Sequence, residues 1–161
     1  FCGIGSINAI EKELVLKKYK IRNYMIMPYH ENETYDVDCL AEKGELKLCI
    51  PRLRIYKNPL SPINEGCQIT NRKIINNYCS KILKKLKIDS ICDFDIVIRA
   101  DKKPQILDVG CRLSGSSTAS LPIGINVPYN LIKILTKKKL DKINIDKDRL
   151  VFPKSRYELV R

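Results

Sequence analysis

Apolar residues along the chain change spacing several times, and each change marks an element. Early in the chain, NAIEKELVLKKY reads as a short helix, and NYMIMPY is a continuous apolar run closed by Pro28, which predicts a buried strand. ETYDVDCLAEKGELKLCIPRLRIY then alternates on both sides of Glu42-Lys43-Gly44-Glu45, the pattern of a β-hairpin with Gly44 where positive φ is needed. After a loop holding Pro59, Pro62 and Gly66, the spacing becomes helical. In TNRKIINNYCSKILKKLKI, residues Ile74, Ile75, Tyr78, Cys79, Ile82, Leu83 and Leu86 form one broad stripe, with Thr70 as the expected N-cap. A second hairpin is predicted over Cys92 to Val109. A final helix starts near NVPYNLIKIL, capped by Asn126 with Pro128 in its first turn.

Strand, hairpin, long helix, hairpin, helix is an α+β order. Hairpins join antiparallel neighbours, so the sheet is expected to be largely antiparallel with helices packed on it. With no internal repeat and no low-complexity linker, residues 1–161 are read as a single domain.

Composition narrows the class. A 161-residue chain that is 44% hydrophobic and 30% charged can build one real core. No apolar run approaches the roughly 20 residues of a membrane helix, and the first residues do not resemble a signal peptide. A formal charge of +12 favours anionic partners, yet Lys is spread everywhere beside Ile and Asn. The runs at Lys84–Lys85 and Lys137–Lys139 fall on predicted helices and read as solvated faces. Neither a nucleic-acid nor a membrane partner is expected. The seven cysteines are scattered, odd in number and without a C-x-x-C pair, which argues against zinc and against a disulfide framework. A reducing, cytoplasmic setting fits them. The chain opens on a Gly-rich stretch without an initiator Met and is expected to be part of something longer.

Candidate chemistry gathers at ILDVGCRLSGSS, where Asp108 sits among the packing residues Ile106, Leu107 and Val109. A carboxylate there needs compensation. With a loop of even length at Asp101–Lys102, the second hairpin places Asp95 directly across from Asp108; an odd loop would make them diagonal. Opposed carboxylates repel unless a cation sits between them or one takes a proton. All-oxygen ligands select a hard ion such as Mg²⁺, and Arg112 could then meet phosphate oxygens as a planar fork. The alternative is a solvated sheet face on which these acids pair with Lys or Arg. Asp93 shares that face and Arg99 lies two pairs away, so both readings stand.

The ordered set GIGSI, MIMPY, ETYDVDCLAEKG, IPRLRIY, DFDIVI, LDVGCRLSGS and GINVP resembles the ATP-grasp superfamily over roughly Gly3 to Lys137, most closely the carbamoyl-phosphate-synthase-type carboxylate–amine ligases. The resemblance implies ATP held between two β-rich lobes, with Mg²⁺ or Mn²⁺. It implies phosphate contacts from the loop of Gly3, Gly5 and Ser6, and adenine held by the backbone around Met27, Pro28 and Tyr29. Glu33 would lie nearby, at the ribose or at the fold's second edge, and Arg54 would face the nucleotide. Asp95 and Asp108 fall on its metal-binding acids and Arg112 on its phosphate-facing catalytic arginine. Arg52, Ser114, Gly115 and Ser116 would meet substrate. The implied reaction activates a small-molecule carboxylate as an acyl phosphate for attack by an amine; His30 has no expected role. Three positions depart from the family's Glu-Ile-Asn-Pro-Arg: Asp108 replaces Glu, Gly110 replaces Asn and Cys111 replaces Pro. A second metal would be held weakly or not at all. The family's N-terminal lobe and Lys-bearing strand have no counterpart, so the chain is expected to be the C-terminal part of such an enzyme and inactive alone. The alternative is a non-catalytic nucleotide-binding or regulatory domain of the same fold.

Overall fold

The computed structural model describes residues 32–55, 66–141, 145 and 148–152. The segments NAIEKELVLKKY and NYMIMPY, and with them the expected first helix and hinge strand, lie outside the described residues.

The first hairpin forms as β1 (Thr34–Glu42) and β2 (Glu45–Ile55). Its two turn residues both have positive φ, Lys43 at 51° and Gly44 at 81°. That turn matches the right-handed twist of the flanking strands. A Cβ at position 44 would also come within 3.3 Å of the Leu83 carbonyl oxygen. The chain continues as β3 (Gly66–Ile69), α1 (Lys73–Leu86), β4 (Ser90–Ile98) and β5 (Pro104–Gly110). A 3₁₀ helix (Ser117–Ile123), α2 (Val127–Leu135) and β6 (Arg149–Val151) follow. All six strands join one sheet in the order β5-β4-β1-β2-β3-β6, every pair antiparallel. The expected α+β class with an antiparallel sheet is what forms. The short strands β3 and β6 and the 3₁₀ helix go beyond the predicted elements, because each is too short for its own periodicity to register.

The sheet separates two packing surfaces. On one, Tyr35, Val37 and Cys39 of β1 and Phe94 and Ile96 of β4 pack against Ile75, Cys79 and Leu83 of α1. On the other, Leu40, Leu48, Ile50 and Ile69 pack against Ile125 and Val127 at the start of α2. The buried stripe of α1 is narrower than the sequence predicts, with Ile74 and Leu86 exposed. The helix also begins later, at Lys73, with no side-chain cap at Arg72. Thr70 is not its cap: the Thr70 N–H donates to the Pro51 carbonyl at 3.1 Å, which keeps that residue tied to β2. At α2 the expected cap forms, the Asn126 side chain accepting the Tyr129 N–H at 2.9 Å. Among the described residues no helix is long and apolar enough to cross a membrane.

Candidate functional site

Three short strand motifs share one end of the second sheet surface. Asp36 and Asp38 on β1, Asp93 and Asp95 on β4, and Arg52 and Arg54 on β2 each stand two residues apart, so each pair points to a single face. The antiparallel register sets them side by side, Asp36 opposite both Asp95 and Arg52, and Asp38 opposite Asp93. On the far side of β4, Asp108 faces Asp95 and Gly110 faces Asp93. Five carboxylates and three guanidiniums, counting Arg112, therefore meet on one rigid surface.

The ion pairs on this surface are unequal. Arg52 and Asp38 are both fully buried and pair at 2.7 Å. Asp38 also accepts the Ser114 N–H at 2.8 Å, and Arg52 donates to the hydroxyls of Ser114 and, at 3.3 Å, Ser116. Ser116 in turn donates to Asp36 at 2.9 Å. This network holds the loop after β5 onto the sheet. Arg54 bridges Asp36 and Asp95, reaching the latter at 2.6 Å.

Protonation follows that arrangement. Burial pushes the Asp36 carboxyl up, but the hydrogen bond and charge of Arg54, with Ser116 and Arg52, outweigh it and hold it below its ordinary value. Burial raises Asp95, with Arg54 opposing and Asp36 adding to the rise. Asp93 moves furthest. Burial carries it up to about 7, reinforced by Asp38, Asp95 and Asp36 and opposed by Arg52. Its Oδ1 is buried without a hydrogen-bond partner among the described residues, while Oδ2 lies 3.4 Å from the exposed Arg112 guanidinium.

Among the described residues the surface carries five carboxylates to three guanidiniums. Of these, the oxygens of Asp93, Asp95 and Asp108 do not all lie within 4.8 Å of one another, and Arg54 holds Asp95 at 2.6 Å. What the surface offers a hard divalent cation such as Mg²⁺ is the oxygen-only facing pair Asp95 and Asp108. Gly110 adds no donor.

Of the residues singled out from the sequence, Asp95, Asp108, Arg54, Arg112, Ser114 and Ser116 meet on this surface. Gly115 belongs to the same loop and opens outward, with no atom within 4 Å of where a Cβ would be. Arg52 belongs to the surface too but presents nothing to solvent; it is turned inward and serves the loop. Glu33 is elsewhere. It accepts from Arg72 at 2.7 Å and from the Tyr35 hydroxyl at 3.0 Å, and the Tyr35 side chain packs under α1 on the other side of the sheet. Gly3, Gly5, Ser6, Met27, Pro28, Tyr29 and His30 lie outside the described residues. Sequence reasoning missed Asp36 and Asp38 and noticed Asp93 only as a neighbour. The signal was present as two Asp-x-Asp strands and one Arg-x-Arg strand, DVD, DFD and RLR.

A family model described as "ATP-grasp in the biosynthetic pathway with Ter operon" matches residues 20–154. No curated protein matches the sequence. Among solved structures, the chain is similar to an L-amino acid ligase from Bacillus licheniformis, at 13% identity over 70% of this chain with a TM-score of 0.53. The chain spans about 30% of the length of that structure, and the likeness is one of fold.

Proposed function

The chain belongs to the ATP-grasp family of the biosynthetic pathway with the Ter operon, and from that membership we propose that it is the ATP- and Mg²⁺-binding part of a ligase joining a carboxylate to an amine. The observation that carries this reading is the facing of Asp95 and Asp108 beside the unsatisfied oxygen of Asp93. Rigid strands set these two acids face to face with Arg54, among the described residues, on Asp95 alone of the two. Like charges directly opposite are costly where nothing offsets them and useful where a cation is to be bound. Asp95 and Asp108 are the residues that would hold the metal, with Asp93 beside Asp95 on the same face of β4. When bound, it supplies positive charge against the triphosphate oxygens and those of the phosphoryl group being transferred.

The remaining steps fall to this chain's own groups. The Arg112 side chain is 66% exposed; its guanidinium donates to the Leu113 carbonyl at 2.9 Å and lies 3.4 Å from Asp93, and an exchange of these contacts would turn it toward a phosphoryl group. Arg52, Asp38 and Asp36 lock the Ser114–Ser116 loop in place, and Gly115 leaves open space beside it for an acceptor. Such a platform contributes by holding reactants in line and excluding alternative poses. The carboxylate attacks the terminal phosphate of ATP and ADP leaves, giving an acyl phosphate; the amine then attacks its carbonyl carbon, phosphate leaves, and the amine nitrogen loses a proton to give the amide. Nothing in that sequence calls for a nucleophilic side chain.

The alternative is a nucleotide-binding domain without turnover, and Gly110 favours it, since no side chain stands there to complete a second metal site. Thermal unfolding with ATP, with and without Mg²⁺, beside Asp108→Asn, tests the site itself. Ligand at about 100 times its dissociation constant raises stability by roughly 2.7 kcal/mol. A shift that needs Mg²⁺ and is absent in Asp108→Asn is expected; a shift indifferent to both overturns the metal assignment. ADP release by the full-length protein, offered amino acids pairwise, separates ligase from binding domain.

A further inference from the structure

On the sheet surface away from the carboxylates, three thiols converge under α1. Cys39 on β1 and Cys49 on β2 are direct cross-strand partners, with sulfurs 3.8 Å apart. Cys79 comes down on them from α1, and the three sulfurs lie within 4.8 Å of one another. All three are free thiols; Cys39 and Cys79 are fully buried, while Cys49 is half-buried. Cys49 borders an open cleft of about 370 Å³ that it shares with Asn76, while its thiol is buried with the other two. The cluster has no part in the ligase reading, and residues 39, 49 and 79 are too far apart in sequence for any spacing motif to reveal it.

We propose that Cys39, Cys49 and Cys79 form a binding site for a single soft metal ion, monovalent copper, held by three sulfurs. Bare packing does not require three thiols to meet edge to edge, and a metal–sulfur bond near 2.3 Å places the sulfurs of such a site about 4 Å apart. The observed 3.8 Å between Cys39 and Cys49 is at that spacing without metal and is far beyond a covalent S–S bond. Thiolate sulfur selects soft ions. The ligand count selects among them: zinc in a structural site takes four donors, and among the described residues the cluster offers three. Cys92 does not supply the fourth. It sits across Cys39 on the opposite side from Cys49, about two strand spacings away, and its thiol points to the Asp93 carbonyl at 4.0 Å. On binding, ligating thiols give up their protons to solvent and no electron moves, so apparent affinity rises with pH.

The test is titration of the full chain, purified reduced and without oxygen, with Cu⁺ against a coloured Cu⁺ chelator, followed by X-ray absorption at the copper edge. One ion per chain is expected, with three sulfur neighbours and no nitrogen or oxygen. Cys49→Ala, at the half-buried position, is expected to weaken binding by about tenfold or more with its circular dichroism unchanged. Cys111→Ser, at an exposed and separate thiol, should bind as the parent does. Parent-like binding by Cys49→Ala, loss on Cys111→Ser, or a two-sulfur spectrum overturns the proposal. So does displacement of Cu⁺ by equimolar Zn²⁺, which would mean a fourth donor completes a zinc site.

Discussion

Asp95 faces Asp108 because the pairing of β4 with β5 skips one residue between them. The turn of this hairpin is of odd length: the Arg99 N–H donates to the Lys103 carbonyl at 2.9 Å, and Lys102 takes φ of 63°. Continued unbroken, that register would set Asp95 against Leu107. Instead Ile96 pairs with Ile106 and Asp95 with Asp108, leaving Leu107 as a bulge. Bulges re-aim side chains, and this one returns Asp108 to the face of Asp95.

Without metal, that facing pair is destabilising. Asp108→Asn in the presence of a chelator is therefore expected to raise stability by about 0.2 to 1 kcal/mol, read as a higher urea midpoint at unchanged slope. A lower midpoint would show that the Asp108 carboxylate has a stabilising partner.

Asp93 gives a pH signature. Its carboxyl stands at about 7 in the folded chain, above an unfolded value near 3.9, so the native state holds the proton more tightly. Stability from this group is full below the unfolded value and is lost as pH rises through about 7. Comparing the parent with Asp93→Asn from about pH 5 to pH 8, the parent is expected to lose about 2 to 3 kcal/mol that the variant keeps. Parallel curves would place Asp93 at an ordinary carboxylate value.

Arg52 holds the loop rather than a ligand. Arg52→Met leaves Asp38 charged and buried, and a loss of about 3 to 5 kcal/mol is expected by chemical unfolding. Adding Asp38→Leu should recover only part of it, since the Ser114 N–H then loses its acceptor.

If Gly110 stands at the Asn of the Glu-Ile-Asn-Pro-Arg pattern that LDVGCR resembles, an Asn side chain there should add a metal donor. A Cβ there meets its nearest neighbours at 3.6 Å or beyond, Cγ of Arg112 and Cβ of Asp93, which is ordinary contact. Gly110→Asn is expected to fold as the parent does and to bind Mg²⁺ with ATP more tightly by calorimetry. Unchanged Mg²⁺ affinity would place the metal away from β5.

The hairpins, the long helix and the cap at Asn126 were legible because each rests on spacing within about 20 residues and on turn residues whose φ preference is local. The helix start was not. Thr70 is a good cap by type, but its N–H is committed to β2, a partner 19 residues earlier. Of the site, the facing of Asp95 and Asp108 was read from the sequence by assuming an even turn; the turn is odd and a bulge restores the pair.

Periodicity and residue type determined the α+β class, the antiparallel hairpins and the two faces of each strand, since alternation on a pleated strand is a property of the strand alone. Which strands lie side by side was decided by the tertiary structure. Asp36 meets Asp95, Arg54 bridges them, and three distant cysteines touch only after β1 is placed between β2 and β4 and α1 is laid across them. Those contacts join residues tens of positions apart, and no local preference specifies them; burial of a common core does.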